Sequence, residues 1–476
     1  MSTGPGTPPG TLAVAFRATD AGEAPLTWGQ AHMWRAVDEF PHLDAALNIR
    51  RSFLTEPTVG VAPAVAAIRR LAERHQAVRT RVRWAGTAPS QSVEASGTIT
   101  VDVETVPAGE LTRALDVAVD RLAGSAFCLD REWPVRLVLV CVGDQVGGVG
   151  LVGSHIVLDG WAMQLLTDEL RALLGGGEPD EVRWQPLDQA REERSERGQR
   201  LERKTLRFWR RSLEVAPPSA FAEPPGPDHS LPVRRWQLES PAVAAVVPLL
   251  AQRLGVSTST VLLTASALII RALTRTEPVV LKVIAGNRTT ARQRSLVAGA
   301  AQDGIFVLRP PAGDVAETAR RVYRDATEAY YYASADPFTL VETMAQVARD
   351  RGSAPDLSLF FNDARLGREW PDTLLAEVSR PAVRELRARG RIVAVDRLAG
   401  SDMKLLVAVT HAPAYAGVSL LADLRHVPEQ TGVRALRAVE ALLCEALLRP
   451  LPTADIPDLI AAQSAEVPQS VAAPPS

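Results

Sequence analysis

The sequence predicts an α+β protein folded in two halves. Three observations lead there. Helical and strand patterns mix along the chain without strict alternation, so each half supplies several of both. At 476 residues and 51.2 kDa the chain exceeds what one hydrophobic core usually serves. Its 46% hydrophobic and 23% charged residues are those of a folded chain, which excludes global disorder, collagen and coiled-coil filaments.

Taken in order, Thr27-x-x-Gln30 has the spacing of a capping box, where hydroxyl and amide satisfy free backbone groups at a helix start. Val61, Val65, Ile68, Leu71 and Ala72 recur at helical spacing. Arg79 to Trp84 alternates as a strand, with Val78, Thr80, Val82 and Trp84 on one face and arginines on the other. Ile99, Val101 and Val103 form a second short strand. Residues 134–142 and 146–152 flank Gly143-Asp144 as a hairpin, and a helix follows from about Trp161 to Leu174, ended by Gly175-Gly176-Gly177.

The second half opens with a charged helix through residues 191–211 and a Pro-rich connector, 217–232. Ser240-Pro241 is a helix start, a cap followed by a residue that needs no N–H. A buried helix is expected at 258–273. Strands are expected at 279–284, 305–308, 357–361, 405–410 and 417–424, and a closing helix near 433–448. The assigned segments are a flexible N-terminus (1–25), a first lobe (26–177), a second lobe (178–463) and a disordered tail (464–476).

Fifty-three basic residues against 55 acidic ones give a net charge of -2, so nothing pulls the chain toward nucleic acid. Cys128, Cys141 and Cys444 lack metal or disulfide spacing, so neither a metal nor a disulfide framework is expected. No signal sequence opens the chain, and its longest strongly apolar stretch, 261–270, is too short to span a bilayer. The expectation is a cytoplasmic protein with no membrane or nucleic-acid partner.

Gly148-x-Gly150-x-x-Gly153 matches a dinucleotide fingerprint, but Asp159-Gly160 argues against the helix that must open on it. These glycines read instead as a strand packed closely against another backbone. The segment that stands out is Ser154-His155-Ile156-Val157-Leu158-Asp159-Gly160-Trp161. Histidine is the side chain suited to moving a proton near pH 7, and the carboxylate four residues on could orient its ring or brace the loop through an arginine. Spacing alone leaves both open. The other six histidines are scattered and form no metal-ligand pair.

This segment resembles the HHxxxDG motif of nonribosomal peptide synthetase condensation domains and the wider superfamily similar to chloramphenicol acetyltransferase. Further motifs follow in the family's order. Leu26-Thr27-x-x-Gln30-x-x-Met33-Trp34 resembles the opening motif. Arg74-His75-x-x-Val78-Arg79-Thr80-Arg81 resembles RHexLRTRF, and Trp133-Pro134-Val135-Arg136 the PLR strand. Phe208-Trp209-x-x-x-Leu213 is similar to YWxxxL, Gly286-Asn287-Arg288 to GNR, and Phe361-Asn362-Asp363 to the late fN strand. The similarity spans about residues 26–448.

The resemblance implies two chloramphenicol-acetyltransferase-like lobes in a V-shaped pseudo-dimer with a central tunnel, entered by phosphopantetheine arms. It implies that His155 assists attack by the acceptor on the donor thioester, that Asp159 is structural and pairs with Arg288, and that the Gly160 amide helps an oxyanion. Two departures stand out. The family's first motif histidine is Ser154 here, and residues 297–304 match weakly after GNR. No adenylation, carrier or thioesterase signature is present, so a free-standing protein is expected, meeting peptidyl or acyl carrier proteins in trans. The chain would bind no cofactor itself, because the phosphopantetheine thioester rides on the partner. The expected function is condensation of a carrier-bound acyl or aminoacyl thioester with a small-molecule or carrier-bound amine or hydroxyl, in natural-product biosynthesis. The alternatives are a catalytically silent domain that recruits a carrier protein or tailoring enzyme, and a coenzyme-A-dependent acyltransferase of the same fold.

Overall fold

A computed structural model of the chain describes residues 10–84, 88–223, 225–226, 232–311, 313–365, 379–398, 402–412 and 414–467. The chain divides into two compact units: residues 1–203, 286–302 and 334–338 form the first, and 204–285, 303–333 and 339–476 the second.

The first unit is built on strands β1 (Gly10–Arg17), β3 (Ile49–Gly60), β6 (Ser96–Thr105), β7 (Val135–Val142) and β8 (Gln145–Gly153), in the order β1-β6-β7-β8-β3. Only β6 and β7 run parallel. A small sheet of β2 (Gly22–Pro25), β5 (Pro89–Val93) and β4 (Thr80–Trp84) stands apart. Its helices are α1 (Trp28–Glu39), α2 (Val61–Arg74), α3 (Leu111–Ala123), α4 (Gly160–Leu174) and α5 (Pro186–Arg194).

Strand β7 reads as a nearly unbroken apolar run because helices cover both faces of the sheet. The glycines of β8 show how closely. A Cβ on Gly150 would lie 2.4 Å from Val119 of α3, and one on Gly153 2.4 Å from the sulfur of Met163 of α4. The fingerprint-like glycines are therefore packing residues. The hairpin between β7 and β8 turns at Gly143, whose φ of +64° suits glycine. The capping box at Thr27 and Gln30 forms as read.

The structure corrects several readings. Residues 10–25, assigned to a flexible segment, carry β1 and β2; Val14 and Phe16 of β1 are buried, and the strand pairs along its length with β6. The terminal segments 1–9 and 468–476 lie outside the described residues. Val78 sits in a 3-10 turn, and Arg79, placed on an outer strand face by alternation, is buried, giving its guanidinium to Asp20 and to the carbonyls of Asp20 (2.7 Å) and Glu94 (2.8 Å). A buried guanidinium needs several acceptors at once, which only tertiary structure brings together. The boundary at 177 moves to 203, because α5 belongs to the first unit. Gln185 accepts from the Gln76 amide (3.2 Å), and the buried carboxylate of Glu193 accepts from the Trp28 amide (2.8 Å). The charged helix is thereby two helices, broken at the extended Ser195, with α6 at Glu196–Val215.

The second unit carries a seven-stranded sheet ordered β11-β10-β12-β14-β15-β9-β13. Its strands are β9 (Val233–Ser240), β10 (Val279–Ala285), β11 (Gln302–Leu308), β12 (Leu359–Asp363), β13 (Arg391–Leu398), β14 (Leu405–Ala412) and β15 (Tyr415–Asp423). After α7 (Pro241–Leu254) and α8 (Thr258–Thr274) the helices are α10 (Val315–Tyr331), α11 (Pro337–Arg351), α12 (Arg380–Ala388), α13 (Glu429–Leu448) and α14 (Ile456–Ala461); α9 is the single turn Ala291–Arg294 in the stretch that returns to the first unit. Ser240 caps α7, accepting from the Val243 amide at 2.9 Å. Helices α7 and α8 are apolar nearly all round because they fill the core. Among the described residues no single helix is long and apolar enough to cross a membrane; α7 and α8 reach that composition only as a pair bent by 104°. No group of three or more His, Cys, Asp or Glu among them is arranged to hold a metal.

One ion-pair cluster ties α2 to α4, the helix that follows the histidine segment. Arg74 Nε donates to Glu169 Oε1 at 2.5 Å, and His75 Nε2 lies 3.0 Å from Oε2. Burial pushes the Glu169 carboxyl up, but its bonds and charges with His75 and Arg74 outweigh this and bring it down to about 2. A depressed carboxylate stabilises the fold above its unfolded value of 4.5 and loses that contribution as pH falls toward 2. Glu169→Gln is expected to cost about 3 kcal/mol at pH 7, from about 1.4 kcal/mol per pKa unit. Denaturant unfolding of both proteins checks this, and the difference should shrink to about half at pH 3.

Candidate active site

Strand β8 ends at Gly153, and the chain then makes a tight turn. The Ser154 amide donates to the Pro134 carbonyl (2.9 Å), while the Ser154 carbonyl accepts from the amides of Val157 (3.1 Å) and Leu158 (2.9 Å). Ile156, Val157 and Leu158 are buried in the first core, so three apolar anchors hold the turn. His155 is left half-buried between them and the surface.

Asp159 then closes the turn and opens α4. With φ −102° and ψ 178° it is the N-cap, and its Oδ1 accepts from the Ala162 amide at 2.9 Å. The Asp-Gly pair, expected to form a turn and delay a helix, is the helix start itself. Gly160 is the first helical residue, at a position whose N–H has no intrahelical acceptor. Its carbonyl accepts from Arg51 at 3.3 Å.

The returning stretch 286–302 is bolted to this turn. Arg288 donates to both oxygens of Asp159, at 2.7 and 2.9 Å, and to the carbonyls of Gly286 (2.9 Å) and Ala298 (2.8 Å). The amides of Ala300 and Ala301 donate to Asp159 Oδ2 at 2.9 and 3.1 Å, and the Gly299 amide donates to the Val157 carbonyl at 2.6 Å. Asn287, with φ +52°, donates its side-chain amide to the Ala300 carbonyl at 3.0 Å, which curls the stretch around Arg288. The Trp161 indole N–H donates to the Arg294 carbonyl (2.9 Å), and the Thr27 hydroxyl to the Gly299 carbonyl (3.2 Å).

Both partners of the ion pair are buried, with side chains only 4% and 5% exposed. Burial pushes the Asp159 carboxyl up, but the Arg288 charge and its hydrogen bonds, with the amides of Ala162 and Ala300, outweigh that and hold it below the usual carboxylate range. A charge this well satisfied braces a loop and is a poor base. His155 contrasts with it. Burial lowers its pKa below 6.5, against the opposing pull of the backbone at His155 and Leu158 and of the Asp159 charge. Its Nδ1 is enclosed and makes no well-formed hydrogen bond. The ring is therefore neutral at pH 7 and able to accept a proton.

The structure thus brings His155, Asp159, Gly160, Trp161 and Arg288 into one cluster, with Ser154 as its buried hinge. Sequence reading missed Ala300 and Ala301, whose contribution is backbone alone, and the left-handed Asn287.

With this arrangement in view, the sequence matches the condensation domain model over residues 20–301, more than half of the chain. The chain belongs to the condensation-domain family. Condensation domains of nonribosomal peptide synthetases are acyl-transferring catalysts that work with carrier proteins. The AMB antimetabolite synthetase AmbB of Pseudomonas aeruginosa is 28% identical over 380 residues, which cover 74% of this chain and 29% of AmbB. This condensation domain therefore spans less than a third of that relative. Among solved structures, the condensation domain of the monacolin K polyketide synthase MokA superposes with a TM-score of 0.69 at 16% identity, covering 91% of this chain and all of that one. The X-domain from teicoplanin biosynthesis superposes with a TM-score of 0.64 at 18% identity, covering 92% and 98%. These likenesses establish the fold, of the kind typified by chloramphenicol acetyltransferase.

Proposed function

We propose that this condensation domain joins an acyl or aminoacyl thioester, carried on the phosphopantetheine arm of a carrier protein, to an amine or hydroxyl acceptor. The observation that carries this reading is the clamp of Arg288 and two backbone amides on Asp159, which fixes the turn while leaving His155 half-buried and neutral. The neutral imidazole takes a proton from the acceptor as the acceptor's nitrogen or oxygen bonds to the thioester carbon. The carbon–sulfur bond then breaks, and the imidazolium returns the proton to the departing thiolate. The free N–H of Gly160, at the start of α4, is the candidate donor to the oxygen that becomes negative. The phosphopantetheine is substrate, brought by the partner.

Ser154, standing where the family's first motif histidine is found, supports a second reading: a silent domain that recruits a carrier protein or tailoring enzyme. A transfer assay read by mass spectrometry separates the readings. Acyl-loaded carrier proteins and coenzyme-A thioesters are offered with a panel of amines and alcohols, and carrier-dependent product is expected. Product from coenzyme-A thioesters alone would make the protein a coenzyme-A-dependent acyltransferase. Absence of product from every donor, with carrier binding retained, would establish the recruiting role.

A further inference from the structure

The second unit holds a cleft of about 820 Å³ between the end of α8, the loop after β15 and the first turns of α13. Four guanidinium groups line it, against two carboxylates. Arg275 is engaged by Glu223 (2.6 Å) and Arg271 by Glu277 (2.7 Å), while Arg425 leans back on Asp423 of β15 (3.0 Å). Arg434 differs. It projects from the second turn of α13, its Nε is enclosed without a hydrogen-bond partner, and among the described residues no carboxylate pairs with it.

A second orphan lies on the same cleft. His426 stacks on Phe221, ring centres 4.6 Å apart, and its Nδ1 is likewise enclosed and unbonded. Enclosed polar atoms without partners occur elsewhere among the described residues, Arg288 Nε included, but these two face the same basic cleft. The helix that carries Arg434 also begins here, with Pro428 as N-cap and no side chain to cap its first amides. Those free N–H groups and the helix dipole favour an anion, offset in part by Glu429 in the same turn, which lies 3.9 Å from Arg234.

We infer that this cleft binds a phosphate-bearing small molecule, with Arg434 as the principal ligand to the phosphate. With three of the four guanidinium groups paired to carboxylates, Arg434 is the one left to meet an anion, and guanidinium gives the planar, two-bond geometry that phosphate oxygens accept. The site lies wholly within the second unit and uses none of the residues assigned to acyl transfer, so the two readings stand or fall separately.

Isothermal titration of the full chain with inorganic phosphate, pyrophosphate and AMP tests it, the last two distinguishing a simple phosphate from a nucleotide source. Saturable binding of at least one is expected, weakened tenfold or more in Arg434→Met and less in Arg434→Lys, with the affinity falling as salt rises. Arg275→Gln is the second variant should Arg434→Met unfold, and it should weaken binding in the same direction. No heat from any of the three phosphates, or an affinity that neither substitution changes, would overturn the assignment.

Discussion

Replacing His155 with alanine is expected to lower kcat/KM for acyl transfer by 10²–10⁴, the range for loss of a positioned proton acceptor, while leaving the unfolding midpoint nearly unchanged. The ring's enclosed Nδ1 makes no well-formed hydrogen bond, and the turn is held by Ser154, Val157 and Leu158 through their backbones. A pH profile with an alcohol acceptor, whose own ionisation stays fixed, adds a second reading. Burial lowers the His155 pKa below 6.5, so activity should be flat at neutral pH and fall on the acid side with a midpoint under 6.5. That acid limb should be missing from the residual activity of the variant. A variant that turns over at the wild-type rate would remove His155 from the chemistry, leaving orientation of the substrates to account for the rate.

Asp159→Asn should behave in the opposite way, as a stability variant. The carboxylate accepts from two guanidinium nitrogens and three backbone amides. An amide keeps the shape but loses the charge and one acceptor oxygen, leaving Arg288 buried without a counter-ion. Breaking a buried pair from one side costs about 3–5 kcal/mol, readable as a lower denaturant midpoint. Because the native carboxyl lies below its unfolded value of 3.8, the wild-type advantage should persist from neutral pH down to about 4 and fade only below that. An Asn variant as stable as wild type but inactive would transfer Asp159 from bracing the loop to the reaction.

Much of the fold was legible wherever the determinants were local. The capping box at Thr27 and Gln30, the Ser240-Pro241 start and the hairpin at Gly143 each need only three or four neighbouring residues, and each was read as it stands. Strand β1 was equally local, with Leu12, Val14 and Phe16 alternating, but it follows directly on a Gly- and Pro-rich run that reads as a tail. Helix α10 escaped because Ala319, Ala326 and Ala329 make up half of its buried face, and alanine gives little apolar contrast. In the site, a histidine at the end of an apolar strand with Asp-Gly close behind singled out His155 and left Asp159 between two roles. Choosing between them needed Arg288, 129 positions away, which family resemblance supplied and spacing did not. The amides of Ala300 and Ala301 have no side-chain signature at all.

The returning stretch also fixes an order of events during synthesis. Asp159 leaves the ribosome long before Arg288, and the whole of 204–285, which belongs to the other unit, is made in between. Until residues 286–301 arrive, the nascent first unit holds an acidic side chain at a helix start with neither its cation nor two of its amide donors. Part of its wiring therefore comes from downstream, and the turn that carries His155 matures only when most of the polypeptide exists. A cut at residue 203 would look tidy by compactness and would still strand the counter-ion of the turn on the wrong fragment.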